Sequence, residues 1–172
     1  PQPWVAHDGP LEVLFFGSFI GLHGTDTLAA ALAQWQGPPL AMRFIGDGPE
    51  RAAAQARLAA PPAGVTLRWD AWLPLDALAT AIADADVVLG IFGTTAKAQR
   101  VVPNKVYQAL AVGRPVITAD TPAFDARLRL PGPAAPIAYV PAGDAAALVA
   151  TLHAWASQRE LLADRAAAAQ AL

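Results

Sequence analysis

The chain has 172 residues, 55% of them hydrophobic and 15% charged, which is enough apolar material for one core of ordinary domain size and too little charge for a disordered segment. A formal net charge of −2 excludes a broad basic field for nucleic acid or an anionic membrane, so any basic function is local. With no cysteine there is neither a disulfide framework nor a thiolate metal site, and the three histidines, His7, His23 and His153, are scattered without ligand spacing.

Residues 1–10, with three prolines and one glycine, read as a linker or arm, and residues 11–172 as the folded domain. A continuous apolar run at 13–17 predicts a strand buried on both faces. Residues 25–35 carry apolar side chains at helical spacing, with Thr25 or Asp26 as the expected cap. A second strand follows at 40–45, then a turn at 46–49 with Pro49 opening an alanine-rich helix that reaches residue 60. A third strand is expected at 65–69, a helix at 75–83 and a fourth strand at 87–91. The next helix, 104–112, is closed by Gly113 with Pro115 just beyond. A fifth strand at 115–118, a short helix after Pro122, a sixth strand at 137–140 and helices at 144–156 and 158–171 complete the chain.

Strands alternating with helices predict an α/β fold: a doubly wound, parallel, six-stranded Rossmann-like sheet in the order 3-2-1-4-5-6. That order puts the topological switch point between the first and fourth strands, and ligands bind outside their carboxyl ends. The segments there are Gly17-Ser-Phe-Ile-Gly-Leu-His-Gly24 and Phe92-Gly-Thr-Thr95. No apolar run approaches the ~20 residues of a membrane span, and no basic segment leads into an apolar stretch at the start, so a cytoplasmic setting is expected.

The chain has two lysines, Lys97 and Lys105, and both fall with Arg100 between the fourth strand and the end of the helix that follows. Lys105 sits in the first turn of that helix, where a cation faces the positive end of the helix dipole at a cost of roughly a few tenths of a kcal/mol. An anion bound at the helix N-terminus removes the conflict. Thr94 and Thr95 add hydroxyls, and Asn104 can cap the helix or donate through its amide. The competing reading is a solvated loop with incidental charges; the gathering of three cations at the switch point favours the anion site. It is not a Walker loop, because Gly-x-x-x-x-Gly-Lys-Ser/Thr is absent.

The other motifs have two readings each. The loop 17–24 cradles phosphate through its backbone N–H groups, with His23 as a further donor, or it is an ordinary strand-to-helix turn with a surface histidine. Gly46-Asp-Gly48 lacks the third glycine of a dinucleotide fingerprint and reads as a turn. Trp69 and Trp72 flank the end of the third strand and either line a base pocket or pack beneath the adjoining loop.

Four stretches taken together are Phe15-Phe-Gly-Ser-Phe-Ile-Gly-Leu-His-Gly-Thr-Asp-Thr-Leu28, Phe44-Ile-Gly-Asp-Gly-Pro-Glu50, Ala85-Asp-Val-Val-Leu89 and Asn104-Lys-Val-Tyr-Gln-Ala-Leu-Ala-Val-Gly-Arg-Pro-Val-Ile-Thr118. In this order and spacing they resemble the C-terminal, donor-binding domain of a retaining glycosyltransferase of the two-Rossmann (GT-B) architecture, in family four (glycosyl transferases group 1). The likeness covers residues 11 to about 156. It implies a nucleotide-diphosphate sugar as donor substrate, with no metal and no other cofactor. It also implies a separate N-terminal acceptor-binding domain of the same protein, absent from this chain. The implied setting is bacterial polysaccharide or glycolipid assembly, with membrane contact only through that other domain.

In that family the loop after the first strand carries an arginine after the glycine and a lysine before the second glycine; here Ser18 and His23 stand at those places. The ribose-contacting glutamate aligns with Gln108, and its partner eight positions earlier with Arg100. The resemblance therefore implies that Lys105 and Arg100 act as the catalytic cations in place of the first-loop pair. Gly17, Ser18, His23, Gly24, Phe92, Gly93, Thr94, Thr95, Asn104 and Gln108 would line the nucleotide site, and backbone at Trp72 and Leu73 would meet the base. Such a domain alone is expected to bind nucleotide without catalysing transfer. The alternative is a stand-alone nucleotide-binding or regulatory Rossmann-like module. A Rossmann oxidoreductase is disfavoured, because no Gly-x-Gly-x-x-Gly follows the first strand and no acidic residue ends the second.

Overall fold

The computed structural model describes residues 3–172, so the first two residues of the expected arm lie outside the described residues. Six strands, β1 (Leu11–Phe16), β2 (Leu40–Ile45), β3 (Val65–Asp70), β4 (Val87–Leu89), β5 (Val116–Ala119) and β6 (Ile137–Val140), form one sheet in the order β3-β2-β1-β4-β5-β6. Every neighbouring pair is parallel. Six helices make the connections and the C-terminal layer: α1 (Thr25–Ala33), α2 (Arg51–Arg57), α3 (Leu75–Asp84), α4 (Asn104–Ala111), α5 (Ala145–Ser157) and α6 (Leu162–Gln170). This is the doubly wound order expected from the alternation of strands and helices.

The continuous apolar run of β1 follows from its central place. Val13 and Phe15 face a cluster with Leu28 and Leu32 of α1 and Leu148 and Leu152 of α5, while Leu14 and Phe16 face a second cluster with Ile82 of α3 and Val106 and Leu110 of α4. Each fully buried side chain of this size contributes about 1.5–3 kcal/mol of transfer free energy. Both layers are thus anchored on one strand, which is why β1 shows no polar alternation.

The local differences from the sequence reading have physical causes. Neither Thr25 nor Asp26 caps α1; the N-cap is Gly24 in the left-handed region (φ 65°, ψ 43°). The Thr25 hydroxyl is taken by a tertiary bond instead, donated to Glu50 Oε2 at 2.9 Å. Asn104 does not cap α4 either, because the N-cap is Pro103 and no side chain bonds there. The helix expected from Pro49 to residue 60 is shorter, Arg51–Arg57, with Pro61 and Pro62 just beyond its frayed end. The element after Pro122 is a single 3-10 turn, Ala126–Leu128, capped by Asp125 through the Arg127 amide at 2.8 Å. A 3-10 turn at Arg159–Leu161 likewise precedes α6.

At the amino end of the sheet one carboxylate gathers several elements. Asp86, 1% exposed at the foot of β4, accepts from Trp4 Nε1 at 2.7 Å and from the Glu12 amide at 2.9 Å, pairs with His7 Nε2 at 3.1 Å, and lies 3.5 Å from Arg159. The described part of the segment before β1 is therefore moored to the body of the domain. No helix among the described residues is long and apolar enough to cross a membrane.

Candidate functional site at the carboxyl ends of β1 and β4

At the opposite end of the sheet the loop between β1 and α1 is held between two others. On one side, the Gly17 amide donates to the Ile45 carbonyl at 2.9 Å, the Phe19 amide to Asp47 at 3.1 Å, and the Glu50 amide to Phe19 at 3.0 Å. The Gly46-Asp-Gly48 turn is thus a clamp on the first loop, which fits its reading as a turn. On the other side, the Phe92 amide donates to the His23 carbonyl at 3.0 Å. A Cβ on Gly24 would stand 2.5 Å from the Phe92 carbonyl carbon, so glycine is required there for close approach as well as for its positive φ.

Lys105 is the central feature. It lies in the first turn of α4, yet it is only 5% exposed and its Nζ has no hydrogen-bond partner. The Nζ stands 4.0 Å above the ring centroid of Phe15 and 5.7 Å from that of Phe16. It also lies beneath Gly17, since a Cβ built on that glycine would be 3.2 Å from it. Burial alone pushes the amine down from 10.5 to about 7.

His23 closes the same space. Its ring meets Phe15 edge-on at 5.9 Å, and its Nδ1 bonds the Ser18 carbonyl. A carbonyl only accepts, so Nδ1 carries the proton, and in the neutral ring Nε2 is left as an acceptor. Burial first, and the nearby Lys105 second, push the imidazole down to about 4. His23 is therefore uncharged near neutral pH.

The remaining residues singled out from the sequence spread over the same end of the sheet. Phe92 and Gly93 are buried against the first loop. Thr94 and Thr95 are exposed, and the Thr95 hydroxyl accepts from the Ala98 amide at 3.2 Å, starting the 3-10 turn Ala98–Arg100. Lys97, Arg100 and Asn104 are exposed, and Gln108 is half-buried three residues beyond Lys105 on α4. Trp72 is 58% exposed and Leu73 half-buried past the end of β3. Trp69 by contrast stacks on Phe44, with centroids 4.0 Å apart and planes 6° apart, and so belongs to the packing. Phe15 was not singled out from the sequence; the parity of β1 puts it on the α1 face, opposite α4, and the Lys105 side chain reaches its ring beside Gly17.

Chemically the site offers a buried amine without an acceptor and the N-terminus of α4 without a side-chain cap, with exposed Arg100 in the 3-10 turn that precedes that helix. This is a donor-rich end of the sheet with no carboxylate paired to Lys105 among the described residues, a setting suited to an anion. A cavity of about 610 Å³ lies away from it on the face of β1–β3 beside α3, lined by Glu12, Leu14, Arg43 and Arg68 among others. Its guanidiniums are already engaged: Arg43 and Arg68 both pair with Asp70, at 2.6 and 3.0 Å. Among the described residues no group of three or more His, Cys, Asp or Glu is gathered in a way that could hold a metal ion.

Comparison with known proteins agrees with the topology. The profile of the family described as glycosyl transferases group 1 matches residues 10–158. No curated protein matches the chain by sequence. Among solved structures, HepE from Anabaena in complex with UDP and glucose superposes with a TM-score of 0.70 at 20% identity, over 95% of this chain and 43% of that one. The lipopolysaccharide outer core galactosyltransferase WaaB, in its apo form, gives 0.69 at 19% identity, over 96% of this chain and 46% of that one. The catalytic domain of the cholesterol-α-glucosyltransferase from Helicobacter pylori gives 0.62 at 17% identity, over 93% of this chain and 97% of that one. These likenesses establish a shared fold, and the chain spans less than half the length of HepE and WaaB.

Proposed function

Because the chain belongs to the glycosyl transferases group 1 family, we propose that it is the donor-binding half of a retaining glycosyltransferase and takes a nucleotide-diphosphate sugar at the carboxyl ends of β1 and β4. The observation that carries this reading is Lys105: a fully enclosed amine with no acceptor, at a helix N-terminus, on the strand ends where a doubly wound sheet binds ligands. HepE was solved with UDP-glucose and the pneumococcal O-GlcNAc transferase GtfA with UDP and GlcNAc, so a uridine diphosphate sugar is the donor class we favour.

In this reading the bond from the anomeric carbon to the diphosphate breaks, and negative charge grows on the leaving phosphate. Lys105, the N–H groups of the first turn of α4, and Arg100 meet that charge; a well-placed donor of this kind is worth about 3 kcal/mol by analogy with oxyanion holes. The reading assigns this neutralisation to protein groups and needs no metal. Gln108, on the Lys105 side of α4, offers its amide to a ribose hydroxyl, and the backbone at Trp72 and Leu73 meets the base. The glycan or lipid acceptor is held by a separate domain, so the chain alone binds donor without transferring sugar.

Titration calorimetry of the chain with UDP, GDP and dTDP tests the reading. UDP is expected to bind, with a loss of at least about tenfold in Lys105→Ala, equivalent to ~1.4 kcal/mol. If none of the three binds, the reading is wrong.

A further inference from the structure

We propose that nucleotide binding loads a proton onto Lys105: above neutral pH its amine is mostly uncharged in the nucleotide-free protein, and a nucleoside diphosphate seated over Gly17 at the N-terminus of α4 draws a proton from solvent onto Nζ. This deepens the donor-site reading above and rests on it.

The surroundings of the Lys105 amine disfavour the ammonium. Its Nζ has given up water and found no hydrogen-bond acceptor. From β1 it faces the rings of Phe15 and Phe16, which attract a cation more weakly than the water they replace. From the first loop it faces Gly17 and His23, and the imidazole carries no negative charge in either protonation state. Its own helix presents the positive end of its dipole. No carboxylate pairs with it among the described residues. The low pKa of about 7 follows from that enclosure.

A diphosphate changes each of these terms. It supplies acceptors and a compensating charge beside Gly17, so the charged amine becomes the favoured form. The proton balance is simple: a buffer acid gives up one proton, the amine lone pair takes it, and the ammonium then donates to phosphate oxygen.

Two measurements test this. The chain has just two lysines, so Nζ-labelled protein gives two side-chain titrations by NMR, with exposed Lys97 as the internal reference. Lys105 is expected to titrate near pH 7 in the empty protein and at least two pH units higher with saturating UDP. Calorimetry with UDP at pH 8, in buffers of different ionisation enthalpy, is expected to show uptake of close to one proton per nucleotide. At that pH the free phosphate has already lost its last proton, given a pKa of ~6, so the uptake belongs to the protein. Lys105→Met is expected to remove the uptake, and the NMR titration decides the matter even if that variant fails to fold. A Lys105 midpoint above pH 9 in the empty protein overturns the inference. So does UDP binding with no proton uptake, which leaves the donor-site reading standing. Absence of any UDP, GDP or dTDP binding overturns that reading and this inference with it.

Discussion

Lys105 Nζ stands 4.0 Å over the ring of Phe15, so a buried amine rests on an aromatic face where a carboxylate would ordinarily pair with it. A face of this kind attracts a desolvated cation by about 2 kcal/mol or somewhat more, less than the several kcal/mol lost on removing it from water. The empty site is therefore held at an energetic disadvantage that a bound anion relieves.

Replacing that amine by an apolar chain of similar volume is expected to stabilise the fold. Lys105→Met should raise the unfolding free energy at pH 7 by about 1–3 kcal/mol while weakening nucleotide binding by at least about tenfold. Urea denaturation beside UDP titration checks it; a variant that is less stable and binds UDP as tightly as the wild type would contradict the placement of Lys105 in the site.

Stability of the empty chain is expected to rise with pH in two windows. His23 is lowered from 6.5 to about 4, so between those values the unfolded chain binds more protons and stability grows as pH climbs through them. Lys105 is lowered from 10.5 to about 7, which has the same sign and acts between pH 7 and 10.5. The second window should amount to a few kcal/mol; the first is smaller, because His23 is partly open to solvent. Unfolding free energies of the wild type and Lys105→Met at about pH 5, 7 and 9 isolate the lysine window as the part the variant lacks.

Gly24 cannot take a side chain. Its φ of 65°, and the 2.5 Å approach that an added methyl would make to the Phe92 backbone, predict a loss of about 3 kcal/mol or more for Gly24→Ala. Urea titration reads that loss, and UDP affinity should fall with it, because the first loop and the segment after β4 separate.

Arg100 is exposed at the end of its 3-10 turn, so Arg100→Ala should change stability by less than about 0.5 kcal/mol. In the donor-site reading it should still weaken UDP by roughly 5- to 10-fold, the scale of one charge-assisted contact near the surface. Unchanged affinity would remove Arg100 from the site and leave Lys105 in it.

Asp86 provides the control at the other end of the sheet. Asp86→Asn removes the charge opposite His7 and Arg159 while leaving a side chain that still accepts from Trp4, and it should destabilise by about 2–3 kcal/mol. UDP affinity measured on the folded protein should not change.

The sheet was legible in the sequence because the elements alternate so regularly: the apolar runs of β1 and β4, the turn at Gly46, and the helix stop at Gly113 all mark their places. The caps were not legible. Thr25 and Asn104 are good capping residues by local rules, but the Thr25 hydroxyl goes to Glu50, which lies on another loop, and α4 starts from Pro103. For the candidate site, the dipole conflict at Lys105 was visible from the helix start. Its burial was not, because the rotation of α4 about its axis and the pairing of Phe15 beneath it are set by packing across the sheet. The commitment of the His23 proton to Ser18 was equally hidden, since it depends on how the loop folds back on itself.

The enclosure of Lys105 has one more consequence, for its reactivity. An amine that is about half uncharged at neutral pH is a good nucleophile, so its shield from acylating reagents is the cover formed by Gly17 and His23. Exposed Lys97 carries no such shield and reacts at the rate of the bulk reagent. The ratio of the two labelling rates is then a clock for how often the first loop lifts from the end of β1.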